Sequence, residues 1–352
     1  MGNEQPAPTE ALLTRHQAFW EMAPVEAPLL RIGRYQPLQR RQPLPLADGS
    51  LTQEGQRLRP ELLDMQRLTD MLEEPSLVVN GDLLGSVAPT DLCWNEAIAG
   101  CPIRWRAGHV WSEPVSDHLD DLDRLRVSPD NPWLAKLVEW AGLLGARAGG
   151  RYPIGQPLLR GPIDIAAAVV GDEPLCWLMA DEPAQFRRLL DRCTDLFITT
   201  ATAWLAAVAP FRNGSCQYGI WAPGATVRTQ ADNAALLSPR LYREFLLPCD
   251  RRICAAFDYP LIHTHSGVLP IIVDVLLELP ALRAIQAGFD YPAGPSVAEL
   301  LPHLRKVSGR KPLIITGGVT REELDLMLAS LSPQGLCLQV DLREDEPNAP
   351  KP

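Results

Sequence analysis

From Ser215 onward the sequence alternates between two hydrophobic periodicities, and this alternation restricts the fold more than any other feature. Apolar, strand-like runs occur at Ser215–Ala222, Pro260–His265, Ala281–Phe289, Pro312–Thr316 and Gly335–Val340. Between them lie helical patterns at Leu269–Leu279, Ser296–Val307 and Thr320–Leu331, preceded by one from Ser238 through Phe257. Ser238 offers an oxygen to the free N–H groups of a first helical turn, and Pro239 carries the backbone angle that turn needs. Thr320 followed by Glu323 forms a reciprocal capping box. Parallel strands need a crossover about as long as a helix, so strand–helix repetition predicts a parallel α/β sheet, as a barrel or doubly wound. In the first half, Leu77–Asn80 and Leu158–Gly161 read as strands, Ile103–Glu113 as an extra hairpin and Asp181–Val208 as one long helix.

The chain has 352 residues, 46% hydrophobic and 22% charged, which predicts one globular barrel domain over 1–352. Arg343–Pro352, charged and proline-rich, reads as a frayed tail. A net charge of −10 gives no basic surface for nucleic acid or an anionic membrane. The longest apolar stretch, Leu269–Leu279, is broken by Pro270, Asp274 and Glu278 and falls short of the ~20 residues that span a bilayer. Met1–Glu10 is polar, without the basic and apolar regions of a secretory signal. The eight cysteines include no Cys-x-x-Cys pair, so residues such as Cys176 and Cys254 read as small buried hydrophobes. A cytoplasmic protein is the expectation.

Parallel α/β folds gather reactive groups at the carboxyl ends of their strands. The run from Pro260 ends in His263-Thr264-His265-Ser266-Gly267, and alternate strand residues share a face, so both imidazoles point into one mouth. Such a pair can ligate a metal, or divide proton transfer and anion binding between them. Asp82, Asp290, Asp232 and Glu96 lie beside other strand ends or turns, where a helix cap or solvated loop is the plainer reading for each. Arg31 and Arg228 can fork onto a substrate carboxylate, or form surface ion pairs. Trp111, Tyr218, Trp221 and Tyr291 are candidate walls of an apolar pocket, or core.

The stretch Leu236-Leu237-Ser238-Pro239, followed by Tyr242-Arg243-Glu244-Phe245-Leu246-Leu247-Pro248 and then Ile262-His263-Thr264-His265-Ser266-Gly267, resembles the uroporphyrinogen decarboxylase superfamily. Thr316-Gly317-Gly318-Val319 is similar to that family's glycine-rich turn after the next-to-last strand. The resemblance, over roughly residues 155–340, implies a distorted (β/α)8 TIM-type barrel with an N-terminal helical extension. It also implies one of two activities. The decarboxylase branch grips substrate carboxylates with an Arg-Gln-Ala-Gly-Arg-Tyr segment, met here only by Arg31-Ile32-Gly33-Arg34-Tyr35, and uses an Asp that Asp82 resembles. The zinc-dependent branch moves a methyl group between a corrinoid protein and a thiol, through a His-x-Cys pair and a later Cys. His263 matches the first ligand, His265 replaces the second, and Cys337 stands near the third.

The expectation is therefore zinc on His263, His265 and Cys337, with catalytic roles for Asp82, Glu96, His263 and His265. Arg31, Arg228, Tyr218, Trp221 and Asp290 are the expected substrate contacts. The implied partners are a small-molecule substrate and a corrinoid protein, and a homodimer is compatible with either activity. Decarboxylation of uroporphyrinogen or a related carboxylate is the second reading. A non-catalytic barrel that captures a small anion is the third.

Overall fold

A computed structural model describes residues 8–36, 42–75, 78–79, 81–86, 92–115 and 121–343. Leu77, Asn80 and the expected tail beyond Arg343 lie outside the described residues. Six parallel strands carry the architecture: β1 (Leu29–Arg34), β2 (Thr226–Gln230), β3 (Tyr259–His265), β4 (Ala284–Phe289), β5 (Leu313–Val319) and β6 (Leu336–Leu342). Their order is β1-β6-β5-β4-β3-β2. Helices Leu247–Ala256, Leu269–Leu276, Val297–Val307 and Arg321–Ser330 make the crossovers from β2 to β6. Thr320 and Glu323 form the expected capping box, and Ser296 with Glu299 forms another.

Among the described residues the parallel sheet has six strands, where a regular barrel has eight. Irregular segments stand along the two free edges. On the β1 side Gly81 bridges Arg31, and the Asp82 N–H donates to the Leu30 carbonyl at 3.0 Å. On the β2 side Gly161 replaces the expected strand Leu158–Gly161: its N–H donates to Gln230 O at 2.8 Å, and a Cβ there would sit 2.3 Å from that oxygen. The expected strand Ser215–Ala222 is instead a hairpin of Ser215–Gln217 and Ile220–Ala222. Tyr218 and Gly219 turn it, with φ of 54° and 72°.

Other departures have local causes. The expected long helix forms unbroken as Pro183–Ala207, and a separate helix, Asp172–Asp181, ends just before it because Glu182 leaves helical geometry (φ −129°, ψ 57°) ahead of a proline. The helix after Ser238 widens into a π turn at Tyr242–Leu246 just before Pro248, which has no N–H for the regular ladder. The hairpin Ile103–Arg106 with His109–Ser112 forms as expected. Among the described residues, no helix is long and apolar enough to cross a membrane.

Alternation along the strands sorts side chains into two cores. Ile262, Ile285, Ile315, Leu338 and Val340 face the helices. Leu29, Leu261, Ala284, Ile314 and Cys337 face the interior, where Phe19 and Trp20 of the N-terminal helix Pro8–Trp20 join them in an apolar plug. Each fully buried Leu or Ile contributes about 1.5–3 kcal/mol of transfer free energy. That helix is locked in place by Trp20, whose indole N–H donates to Trp221 O at 2.9 Å.

One buried group opposes this stability. Burial pushes the Asp250 carboxyl up to about 7, against the hydrogen bond from the Tyr242 hydroxyl at 2.7 Å. A folded-state pKa above the unfolded one favours the fold below about pH 4 and loses that contribution as pH rises through about 7. Asp250→Asn keeps an acceptor for Tyr242 and removes the charge. Its unfolding free energy is expected to exceed that of the wild type by roughly 2–4 kcal/mol at pH 8, and to match it only at about pH 4 or below. Equal thermal unfolding of the two proteins at pH 8 would show that Asp250 ionises without cost.

Candidate metal centre at the barrel mouth

Leu261, His263 and His265 share the inward face of β3, so the strand runs from the apolar plug to the open mouth. The two imidazoles meet edge to face, with centroids 4.8 Å apart. Each has its Nδ1 held by a fixed acceptor. His263 Nδ1 contacts Gln286 Oε1, which also accepts from the Tyr218 hydroxyl at 3.0 Å. The Gln286 amide nitrogen donates to Thr316 Oγ1 at 2.6 Å, which fixes the amide orientation and makes Oε1 the acceptor facing His263. His265 Nδ1 lies 2.7 Å from Asp290 Oδ1, while Asp290 Oδ2 accepts from the Ser266 N–H and hydroxyl at 2.9 and 2.8 Å. With both Nδ1 protons engaged, each ring is left to offer Nε2, the arrangement in which outer acceptors orient metal-binding histidines.

Asp232 completes the group. One ligand atom each from Asp232, His263 and His265 fall within 4.8 Å of one another. Asp232 Oδ1 is buried and stands 3.2 Å from His265 Nε2, and hydrogen bonding and opposite charge both draw the two together. Asp232 is positioned from behind by Asp164, a buried carboxylate that accepts from the Asp232 and Asn233 N–H groups at 3.0 and 2.9 Å. Asp232 Oδ2 accepts from Gln230 at 2.9 Å.

Charge divides the two histidines. Burial, reinforced by the Arg228 guanidinium, depresses His263 to about 4, so it is neutral near pH 7. Asp232 and Asp290 hold His265 up at about 10, so without a metal it is a cation between two carboxylates. Burial would raise Asp232, but His265 outweighs it and holds the carboxyl below its ordinary value. Burial and the nearby Asp232 push Asp164 up to about 7.

A divalent cation fits this donor set of two imidazole nitrogens and a carboxylate oxygen, taking the place of the proton on His265. Two His and one carboxylate form a known catalytic zinc set, in which bonds of about 2.0–2.1 Å put ligand atoms about 3.3 Å apart. The Asp232–His265 edge, at 3.2 Å, already has that length.

The structure redistributes the other expected site residues. Cys337 does not join the histidines; it is fully buried in the plug with Ile314 and Leu29. His263 pairs with Gln286, Gln286 with Ile314, and Ile314 with Cys337. Barrel strands tilt by roughly 35–45°, so following this one row leads from the polar mouth into the apolar plug. Asp82 belongs to the edge of β1, where Arg15 and the Leu30 N–H hold its carboxylate and neutral His16 donates to its carbonyl oxygen. Glu96 is buried on Trp94–Ile98 with Arg160 Nη1 at 3.4 Å. Arg31 points into the barrel but pairs with Asp341 at 3.0 Å.

Arg228 and Tyr218 do reach the centre. The guanidinium lies 5.7 Å above the Tyr218 ring, and its buried Nε has no partner. Trp221 packs instead with Leu12, Leu84 and Phe211 at the far end, its indole donating to Phe211 O at 2.9 Å. Trp111 is exposed on the extra hairpin, and Tyr291 stacks at the rim against Tyr35 and Arg343. Sequence reasoning places Asp232 at the mouth but gives it no metal, and it misses Gln286 and Asp164. The available signal was Thr226–Gln230, a strand whose end points Asp232 at the site.

Residues 85–282 match the uroporphyrinogen decarboxylase (URO-D) family. Among solved structures, a methyltransferase from Methanosarcina mazei is similar, with a TM-score of 0.60 and 18% identity over 94% of this chain and 93% of that one. At that identity the likeness is one of fold. No curated protein matches the chain.

Proposed function

The chain belongs to the uroporphyrinogen decarboxylase family, and from that premise we propose that it is a zinc-dependent enzyme moving a methyl group between a corrinoid protein and a thiol or similar small acceptor. The observation that carries this reading is the convergence of Asp232, His263 and His265 at the barrel mouth. The Methanosarcina mazei methyltransferase of similar fold favours methyl transfer among the family's reactions. Zinc on these three residues would leave an open position and keep a bound thiol as thiolate near neutral pH.

The rest follows from the chain's own side chains. Gln286 and Asp290 fix the ring orientations, and Asp164 fixes the Asp232 backbone. The Arg228 guanidinium, which lies over Tyr218 at the centre, is a cation for an anionic group on the acceptor. Decarboxylation of a polycarboxylate draws less support, since Arg31 and Asp82 are each committed to an ion pair within the fold.

The test uses protein purified without a polyhistidine tag. Metal analysis is expected to find about one zinc per chain. Methylcobalamin, standing in for the corrinoid protein, should be demethylated by 2-mercaptoethanol at a rate that falls as a chelator strips the metal. Full turnover by zinc-free protein would overturn the reading. Zinc-free release of carbon dioxide from uroporphyrinogen would replace it with decarboxylation.

A further inference from the structure

The hairpin Ser215–Ala222 holds an aromatic residue in a costly backbone conformation. Its turn is Tyr218-Gly219, closing the Gln217–Ile220 pair, with φ of 54° and 72°. Turns with two positive φ angles favour Asn, Asp or Gly, and a bulky side chain is strained there. Such strain persists only where the surroundings impose it. The Leu84 N–H donates to Gly219 O at 2.8 Å and so clamps the turn. On the returning strand the Trp221 N–H donates to His16 Nδ1 at 3.0 Å, and the Trp20 indole donates to Trp221 O at 2.9 Å.

The clamped turn aims one side chain. Tyr218 packs on the apolar plug and reaches Gln286, its hydroxyl donating to Oε1 at 3.0 Å. Burial raises the phenol above its ordinary value, so it keeps its proton at neutral pH. Gln286 is fully buried, with its amide held at both ends: Oε1 by Tyr218, Nε2 by Thr316. The same Oε1 faces His263 Nδ1. The Tyr218 ring lies under the Arg228 guanidinium, 5.7 Å from its centroid.

We propose that Tyr218 is a positioning residue for His263: its hydroxyl pins Gln286, and the pinned amide keeps the His263 proton on Nδ1, leaving Nε2 to the metal. Its bearing on the metal rests on the zinc reading, whereas the hold on His263 belongs to the metal-free chain. Tyr218→Phe removes one oxygen and keeps the ring under Arg228. The Gln286 amide is then held by Thr316 alone, and His263 loses a fixed acceptor.

Two measurements on the full chain test this. In the metal-free protein at pH 7, where His263 is neutral, nitrogen NMR should find its proton on Nδ1. Tyr218→Phe should populate the form protonated on Nε2. Competition with a chromophoric chelator should show zinc affinity falling about fivefold in that variant, the worth of one buried hydrogen bond. In Gln286→Leu the route to His263 is gone, so adding Tyr218→Phe should change zinc affinity no further; a general packing defect would act alike in both backgrounds. An unchanged His263 tautomer, zinc affinity equal to wild type in Tyr218→Phe, or the same fivefold loss on top of Gln286→Leu overturns the proposal. A tautomer shift in a chain that binds no zinc even as wild type would sink the metal reading and leave the hold of Tyr218 on His263 standing.

Discussion

Alanine at Asp232, His263 or His265 is expected to reduce bound zinc from about one equivalent to near zero, with methyl transfer lost in step. Each supplies one of three donor atoms, and two remaining ligands do not retain zinc against solvent and buffer. The same substitutions remove groups at the open mouth rather than from the apolar plug, so the metal-free proteins should still fold, with His265→Ala and Asp232→Ala losing the stability that the His265 cation gains between its carboxylates. Asp164→Ala should give an intermediate result. It loses the acceptor for the Asp232 and Asn233 N–H groups, and removing an orienting group of this kind weakens metal binding about 10–100-fold. Cys337→Ala is the contrasting case: its zinc content should equal that of the wild type, with only a packing cost in the plug. Competition with a chromophoric chelator measures all five variants. Loss of zinc in Cys337→Ala together with retention in Asp232→Ala would overturn the assignment.

Zinc affinity is also expected to rise about tenfold per pH unit between pH 6 and 8, a hundredfold in all. The sign comes from His265, which Asp232 and Asp290 hold protonated up to about 10. Metal binding must displace that proton, so affinity grows with pH until the folded-state pKa is reached. His263, depressed to about 4, is already neutral across the window, and Asp232 is already ionised, so neither adds to the slope. About one proton should leave per zinc bound, measured as the dependence of binding heat on the buffer's ionisation enthalpy. The linkage carries the opposite sign for the metal-free fold. The raised His265 pKa stabilises it fully below about 6.5, and that contribution disappears as pH approaches 10. A pH-independent zinc affinity would mean that His265 is not a ligand.

Much of the frame was legible in the residues alone. β3 to β6 announce themselves because their outward faces are Ile, Leu and Val, packed under helices with clear caps at Ser296 and Thr320. The period of two along β3 is enough to aim His263 and His265 the same way. β1 and β2 were hidden for the converse reason: Arg31, Arg228 and Gln230 face inward and break the apolar pattern, though a barrel mouth is where polar side chains belong. A strand missed at Thr226–Gln230 also conceals what Asp232 does.

Sequence by itself determined the parallel α/β class, the crossover helices and the histidine pair, because each depends on local periodicity and short-range capping. Tertiary structure decided the third ligand. Strand tilt carries Cys337 into the apolar plug, although it shares a hydrogen-bonded row with His263. Asp232 arrives from another strand end, held there by a carboxylate 68 positions away in sequence. Tilt and long-range hydrogen bonds are properties of the assembled sheet, and no run of adjacent residues encodes them.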